Sequence, residues 1–316
     1  MPELVLWGGI FILSLLVLIR SANYFTDAAI KIGLYLGIPS FIVGVTIIAV
    51  GTSLPELISS IIAVVSESSE IVVGNVVGSN ITNIFLILGI TALIGKKLKI
   101  SHELIRIDLP LFIASSFLLA ITIWDGKFSL PEAILCLLAL AIYLSYTTSS
   151  QNQIKTIKKQ AGMDGREKKD WKTLIILIVS MGFIYLGAQY TIESVIHLSG
   201  ILNIGKEIIA VTAVALGTSL PELVVCMVAA KKGNLDIVVG NILGSNIFNA
   251  LAVMGIPALF GTLIIPHSIL VFSLPVMIIA TLLYFFITQD KQITKWEGAI
   301  LIVFYIFFIG KIFGLL

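Results

Sequence analysis

Two acidic residues stand alone inside long apolar stretches of this chain. Glu56 is the only charged residue in the range 32–66, and Glu222 is the only one in the range 208–230. An ionised side chain near the middle of a spanning helix is costly unless it faces a cavity or a partner. A protonated glutamate in an interhelical hydrogen bond is the alternative, but it does not explain why both residues occur in the same sequence context. Glu56 and Glu222 are therefore candidate cation ligands inside a membrane.

The sequence context of the two glutamates is an internal repeat. The heptapeptide Gly-Thr-Ser-Leu-Pro-Glu-Leu occupies residues 51–57 and recurs unchanged at residues 217–223, which is 166 positions later. Such self-similarity indicates a duplicated structural unit. The same offset, without a gap, aligns further residues of the two halves: Gly74-Asn75 with Gly240-Asn241, Gly78-Ser79-Asn80-Ile81 with Gly244-Ser245-Asn246-Ile247, and Asn83 with Asn249.

Oxygen-bearing groups accompany each glutamate. The proline of each motif lacks a backbone N–H, so we expect it to interrupt its helix and to free carbonyl oxygens near Gly51, Thr52, Gly217 and Thr218. Thr52 and Glu56 lie four positions apart, as do Thr218 and Glu222, so each hydroxyl shares a helix face with a carboxylate. On the next helix of each half, polar residues recur at the same spacing: Asn75, Ser79 and Asn83, then Asn241, Ser245 and Asn249.

This set of groups favours hard cations. It contains two carboxylates with amide, hydroxyl and backbone oxygens, and neither a thiol nor an imidazole. Ca²⁺ takes six to eight oxygen ligands, whereas Zn²⁺ or Cu⁺ would select nitrogen and sulfur. Two glutamates balance the charge of one Ca²⁺, and the same oxygens could hold Na⁺, so mutually exclusive occupancy would produce exchange. Mg²⁺ fits less well because it gives up its water reluctantly.

The composition requires a lipid environment around these groups. Hydrophobic residues make up 58% of the 316 residues and charged residues only 12%, with a mean hydropathy of +1.08. A soluble chain of this length needs more polar surface. The apolar runs are continuous, whereas a spanning barrel would alternate in polarity. We therefore expect an all-α membrane protein in which the lipid bilayer is the main partner.

The apolar runs predict ten transmembrane helices, five in each half. In the first half they cover residues 4–36, 41–65, 71–95, 109–124 and 131–147; in the second half they begin at 173 and continue through 208–230, 237–260, 268–288 and 298 to the C-terminus. The predicted domains are the first repeat at 1–150, a linker at 151–172 and the second repeat at 173–316. Because five is odd, the second unit must enter the membrane from the opposite side, so the two repeats are inverted.

The charges give an orientation. If the N-terminus is outside, 17 of the 20 Lys and Arg residues fall in inside loops, and only Lys127, Lys206 and Lys311 remain outside. The positive-inside rule therefore predicts a multi-pass protein of the cell membrane with both termini outside and a cytoplasmic linker. The glycines at 74, 78, 240 and 244 have small-xxx-small spacing, which is typical of close helix packing.

The paired motifs GTSLPE and GN..GSN resemble the alpha repeats of the cation/calcium exchanger superfamily, most closely those of prokaryotic sodium/calcium exchangers. The resemblance covers essentially the whole chain. It implies that the first span of each half slides against the other eight helices. It also implies a ligand set with backbone carbonyls from Ala49 and Ala215 and side chains from Thr52, Ser53, Glu56, Ser79, Asn83, Thr218, Ser219, Glu222, Ser245 and Asn249.

One position bears on the choice of ions. The potassium-dependent branch of this superfamily, and some archaeal members, have Asp where this chain has Asn249. The resemblance therefore implies that K⁺ is not co-transported, and both halves carry Asn at this position, Asn83 and Asn249. The linker at 151–172 is also too short to hold the Ca²⁺-sensing domains of animal relatives.

Electrogenic exchange of Na⁺ for Ca²⁺ is thus the first functional hypothesis. Ca²⁺/H⁺ exchange is an alternative because glutamates can carry protons, and a passive cation channel with a glutamate selectivity ring is another. An enzyme is not expected, because no HExxH motif or nucleophile–base arrangement occurs among the intramembrane residues. We expect no cofactor, since Ca²⁺ and Na⁺ bind as substrates, and neither a nucleic acid nor a required protein partner.

Overall fold

The computed structural model of the chain describes residues 2–65, 67–95, 98–99, 108–160, 171–201 and 219–316. Within these residues the chain is helical, with four two-residue strands. The helical segments are α1 (Pro2–Leu36), α2 (Ser40–Val65), α3 (Glu70–Ile94), α4 (Asp108–Thr122), α5 (Leu130–Gln160), α6 (Trp171–Ile201), α7 (Leu220–Lys231), α8 (Leu235–Leu259), α9 (Ile269–Gln289) and α10 (Lys295–Ile312). The strands are β1 (Leu98–Lys99), β2 (Lys127–Phe128), β3 (Leu263–Ile264) and β4 (Gln292–Ile293).

Most of these helices have the length and composition of membrane spans. Within the described ranges, seven are long and apolar enough to cross a bilayer: α1, α2, α3, α5, α6, α8 and α9. The apolar α4 is shorter, and α10 carries three charged residues, at positions 295, 297 and 311. The chain is therefore an all-helical, multi-pass membrane protein, as predicted, while the number of ten spans stays a prediction.

Two predictions concern the middle of the chain. Helix α5 continues to Gln160, so the first ten residues of the predicted linker extend the fifth helix. Residues 161–170 of that linker lie outside the described residues. So does the first part of the span predicted at 208–230, of which α7 is the described part.

Helix α8 lies at the centre of the bundle. In its most apolar 18-residue stretch 94% of the residues are buried, against 17% in the corresponding stretch of α1. Small residues allow this position, because a Cβ added at Gly240 would collide with the carbonyl oxygen of Phe41, and one at Gly244 with that of Val45. The close packing predicted for these glycines is confirmed.

The repeat-equivalent glycines of α3 are packed differently. A Cβ added at Gly74 would make only an ordinary contact, 3.6 Å from Ile269 Cδ1, and one at Gly78 would have no described atom within 4 Å. The predicted close packing is therefore wrong for Gly78. Two glycines with the same sequence context thus have different surroundings.

Helices α1 and α6 form an antiparallel pair. The Trp7 ring stacks on the His197 ring with centroids 3.7 Å apart, and the Thr191 hydroxyl donates to Ser14 Oγ over 3.0 Å. About one turn beyond the Ser14–Thr191 contact, a Cβ at Gly187 would lie 3.0 Å from the Leu18 backbone. Among described elements, α1 packs more extensively on α6 than on any other. The first helices of the two predicted halves therefore form one structural unit.

The strands join loops at the two ends of the bundle. Strand β1 pairs antiparallel with β4, and β2 pairs antiparallel with β3. Strand β1 lies against the first part of α8, and β3 against the first part of α3. Near the start of α8, Lys232 Nζ approaches Asp27 Oδ1 to 2.7 Å and so links α1 to the α7–α8 turn.

Candidate cation-binding site

A helix interruption lies beside Glu56, and the backbone just before Glu222 has a similar conformation. Within α2 the helical backbone ends at Thr52, Ser53 has φ −90° and ψ 4°, and a new helical segment begins at Leu54. In the second half Ser219 has φ −87° and ψ 4°, and α7 begins at Leu220. The interruption predicted from the proline is confirmed in the first motif. In the second motif the residues before Ser219 lie outside the described residues, so the interruption there stays a prediction.

Each of the two carboxylates lies in the first turn of its own helix. Glu56 follows Leu54 by two residues, and Glu222 follows Leu220 by two. A helix N-terminus carries a partial positive charge, which favours an ionised carboxylate. Each side chain is only 1% exposed, so both carboxylates lie inside the protein and away from lipid.

The Glu222 carboxylate contacts hydroxyl groups from the other half of the sequence. Ser53 Oγ donates to Glu222 Oε1 over 3.1 Å, and the Thr52 hydroxyl also lies beside this carboxylate. Thr52 Oγ1 is in addition 3.4 Å from Asn241 Oδ1. Residues that are about 170 positions apart in sequence therefore meet at one buried position.

The Ala49 carbonyl oxygen lies in the same region but is already engaged. It accepts the Ser53 backbone N–H over 3.0 Å and faces Thr52 Oγ1 at 3.4 Å. Its role as a ligand stays a prediction from the family resemblance. The predicted ligands Ala215 and Thr218, and Gly217 between them, lie outside the described residues.

Four buried side-chain oxygens of predicted ligands have no hydrogen-bond partner in the described part of the chain: Glu222 Oε2, Asn83 Oδ1, Asn249 Oδ1 and Ser245 Oγ. Their residues are at most 1% exposed. An unsatisfied buried polar atom costs about 1–3 kcal/mol, so a set of them requires an explanation. Coordination to a cation is one way to satisfy such oxygens. Ser79, the counterpart of Ser245, is also buried, at 5% exposure.

The two amide ligands stand at the start of π-helical turns. Residues Asn83–Leu88 of α3 and Asn249–Val253 of α8 are π-helical, and each segment begins at the predicted ligand itself. A π-turn inside an α-helix frequently marks a functional site, because it shifts the hydrogen-bond ladder by one residue. Nothing in the spacing of the residues predicted these turns.

Sequence reasoning missed two asparagines that connect the halves. Asn80 and Asn246 are each 1% exposed, and each donates an amide N–H to the backbone oxygen of the other over 3.3 Å. Their side-chain oxygens accept from the predicted ligands: Asn83 Nδ2 donates to Asn246 Oδ1 over 2.9 Å, and Asn249 Nδ2 to Asn80 Oδ1 over 3.1 Å. The repeated Gly-Ser-Asn triplet was the available signal.

Asn75 and Asn241, which begin the polar series on α3 and α8, form hydrogen bonds to neighbouring helices. Asn75 Nδ2 donates to Ser60 Oγ over 3.3 Å, and in the second half Asn241 Nδ2 donates to Cys226 Sγ over 3.1 Å. Cys226 is the repeat counterpart of Ser60. Both cysteines of the chain are buried free thiols.

A cavity of about 550 Å³ adjoins the first half of the site. It reaches the polar face of α3 and is otherwise mainly apolar, with lining residues Ser59, Ile71, Gly74, Asn75, Val77, Gly78, Ser79, Thr82, Ile269, Ser273, Phe308, Ile309, Ile312 and Phe313. The open space beside Gly78 belongs to this cavity. Among the described residues, no group of three or more His, Cys, Asp or Glu comes together.

Comparison with known proteins gives consistent matches. A model of the family described as sodium/calcium exchanger protein matches residues 6–149 and 172–313. Sodium/calcium exchanger MaX1 of Methanosarcina acetivorans is 33% identical over 96% of this chain and 97% of its own length. Inner membrane protein YrbG of Escherichia coli is 33% identical over 79% of each chain. The solved structure of the sodium-calcium exchanger NCX_Mj superimposes with a TM-score of 0.83 and 28% identity, over 98% of this chain and 99% of that one.

Proposed function

This chain belongs to the sodium/calcium exchanger protein family and is a transporter rather than an enzyme; from that premise we propose that it exchanges Na⁺ for Ca²⁺ across the membrane. The ions bind in turn at one oxygen-lined site near the membrane midplane, and the site opens to each side alternately. The observation that carries the proposal is the set of buried, unpartnered oxygens around Glu222, Asn83, Asn249 and Ser245.

The charge of the site accounts for exchange. Glu56 and Glu222 together neutralise one Ca²⁺, while Na⁺ ions can use the same carboxylates with neutral oxygens completing their shells. Because two buried carboxylates without a cation are strongly disfavoured, the empty site does not cross the membrane readily. Release of one ion is therefore coupled to binding of the other.

The proposed architecture is ten spans in two inverted five-helix repeats. The reciprocal bonds between Asn80 and Asn246, which are 166 positions apart, support a two-fold relation between α3 and α8. The pairing of β1 with β4 and of β2 with β3 supports it as well, because each pair joins loops that the charges assign to the same side. The two ranges of the family match, 6–149 and 172–313, correspond to the predicted halves.

The α1–α6 pair is the part that moves in this proposal. Both helices are largely exposed to lipid, whereas α8 and its neighbours form the buried core. Sliding of a peripheral pair requires fewer buried contacts to change than rearrangement of the core. Alternating access of this kind is typical of transporters with inverted repeats.

We further propose that transport does not require K⁺. Asn249 supplies a neutral oxygen where potassium-dependent relatives have a carboxylate. Ca²⁺ uptake should therefore be the same in K⁺ and in choline media. In the Asn249→Asp variant the third carboxylate should make uptake increase with K⁺. K⁺ dependence of the unmutated protein would contradict this part of the proposal.

The direct test is Ca²⁺ flux in proteoliposomes. Vesicles loaded with Na⁺ and diluted into Na⁺-free medium should accumulate ⁴⁵Ca²⁺, and vesicles without a Na⁺ gradient should not. Uptake indifferent to Na⁺ would refute the proposal. Uptake driven by a pH gradient instead would identify the Ca²⁺/H⁺ alternative, and Ca²⁺ efflux that no counter-ion accelerates would identify a passive channel.

A further inference from the structure

Asn80 and Asn246 have an orientation that the protein backbone dictates. An amide side chain has a donor end and an acceptor end, and either could face a given neighbour. Here Nδ2 of each residue points at the backbone carbonyl oxygen of the other, at 3.3 Å, and a carbonyl can only accept. The Oδ1 atoms of Asn80 and Asn246 must therefore face the other way.

These two oxygens in turn orient the ligand amides. Asn246 Oδ1 faces Nδ2 of Asn83 at 2.9 Å, and Asn80 Oδ1 faces Nδ2 of Asn249 at 3.1 Å. An acceptor at this position holds the donor end of each ligand amide. The Oδ1 atoms of Asn83 and Asn249 are left pointing elsewhere, and both are buried without a hydrogen-bond partner in the described ranges.

We propose that Asn80 and Asn246 are positioning residues for cation binding: they fix the amides of Asn249 and Asn83 so that oxygen, and not N–H, faces the cation. The proposal rests on the proposed function, because it assumes that Asn83 and Asn249 bind Ca²⁺ or Na⁺. Without the positioning residues either ligand amide can rotate by 180° and present N–H groups, which repel a cation. Groups that orient a ligand typically change metal affinity about 10–100-fold when removed.

The arrangement crosses between the halves of the chain. Asn80 on α3 orients a ligand on α8, and Asn246 on α8 orients a ligand on α3. The orientation of each ligand amide therefore depends on the contact between α3 and α8, and not only on the helix that carries the ligand. The proposal consequently predicts which pairs of mutations interact energetically, and a role limited to packing would not produce that pattern.

The experiment is a set of double-mutant cycles on Ca²⁺ binding. Purified full-length protein is titrated with CaCl₂ in Na⁺-free buffer by calorimetry. Asn80→Ala should weaken binding about 10–100-fold. Once Asn249→Ala is present, adding Asn80→Ala should change the Kd little, because the ligand it orients is gone. The same holds when Asn246→Ala is added to Asn83→Ala. When Asn80→Ala is combined with Asn83→Ala, in contrast, the fold-changes in Kd of the two single variants should multiply.

Ser116→Ala is the matched control. The Ser116 and Thr281 hydroxyls are 3.2 Å apart in another buried contact, between α4 and α9, and touch none of the predicted ligands. This variant should leave the Kd unchanged. Thermal unfolding without Ca²⁺ checks that each variant is folded. Where an Ala variant does not fold, a Ser variant takes its place in the same cycle, because the serine hydroxyl is too short to reach the partner amide.

The outcomes separate the two proposals. Unmutated protein that binds no Ca²⁺ would overturn the proposed function. Ca²⁺ binding that is normal in Asn80→Ala, or losses in Asn80→Ala and Asn249→Ala that multiply, would overturn the positioning role and leave the proposed function intact. Non-additive losses in both cross-half pairs, with independent losses in the same-half pair, are the expected result.

Discussion

Single residues determine which ions the proposed site can hold. In the proposal, two buried carboxylates supply charge, and amide and hydroxyl oxygens supply the remaining contacts. Ser53 from the first half donates to Glu222 of the second half over 3.1 Å, which shows that groups from both halves meet.

Replacement of either glutamate by glutamine should abolish exchange. Glu56→Gln or Glu222→Gln keeps the volume of the side chain but leaves one negative charge where Ca²⁺ needs two. We expect Na⁺-driven ⁴⁵Ca²⁺ uptake to fall to the level of protein-free vesicles, with the thermal unfolding midpoint kept or raised because one buried charge is removed.

Glu297→Gln is a suitable control for these variants. Glu297 accepts from the Thr294 N–H and hydroxyl in a capping box at the start of α10, and it is only partly buried. Its loss should reduce stability slightly and leave the ion dependence of transport unchanged. Normal Ca²⁺ uptake by Glu56→Gln or Glu222→Gln would remove that glutamate from the site.

Helical elements determine where those residues lie. The interruption at Ser53 and the helix start after Ser219 place Glu56 and Glu222 in the first turns of two helices, and π-helical turns begin at Asn83 and Asn249. Both features occur at matching positions of the repeat. The packing around the helices, in contrast, differs between the halves.

The glycines offer a test of that difference. In Gly244→Ala the new Cβ would meet backbone atoms of α2, including Val45 Cα at 2.7 Å, which cannot move aside as a flexible side chain can. We expect a loss of about 1–3 kcal/mol in the free energy of unfolding in detergent. Its repeat counterpart Gly78→Ala should be neutral or gain up to about 1 kcal/mol, since alanine favours helix and no described atom lies within 4 Å.

Equal effects of the two alanine substitutions would contradict this reading of the packing. Gly74→Ala gives an intermediate reference, because its Cβ would lie 3.6 Å from a flexible isoleucine side chain. Chemical unfolding of the three variants in one detergent compares them directly.

The whole molecule has two ends that differ in charge. Loops carrying β1 and β4 are basic and are assigned to the inside, while loops carrying β2 and β3 are assigned to the outside. In intact cells, an impermeant thiol reagent should label Lys127→Cys in β2 but should label Lys291→Cys, before β4, only after the membrane is made permeable. The native cysteines are buried, so their labelling should be low. The reverse pattern would invert the proposed orientation.

Much of this architecture follows from local sequence. Most helix bounds agree with the apolar runs to within a few residues, because a spanning segment needs about 20 consecutive apolar residues. The interruption beside Glu56 follows from proline chemistry. The residues that were missed or misjudged, such as Asn80 and Gly78, owe their roles to contacts with distant parts of the chain.

The sequence by itself determined the membrane environment, the duplication and the oxygen chemistry of the ligands, because these depend on composition and on spacings of a few residues. The tertiary structure decided which residue faces which across the two halves. The local sequence around Asn80 and Asn246 does not show which residues their side chains contact. Only the approach of α3 to α8 turns them towards Asn249 and Asn83. Gly78 and Gly244 likewise share one motif, yet one faces a cavity and the other a backbone, because packing between helices is a property of the assembled bundle.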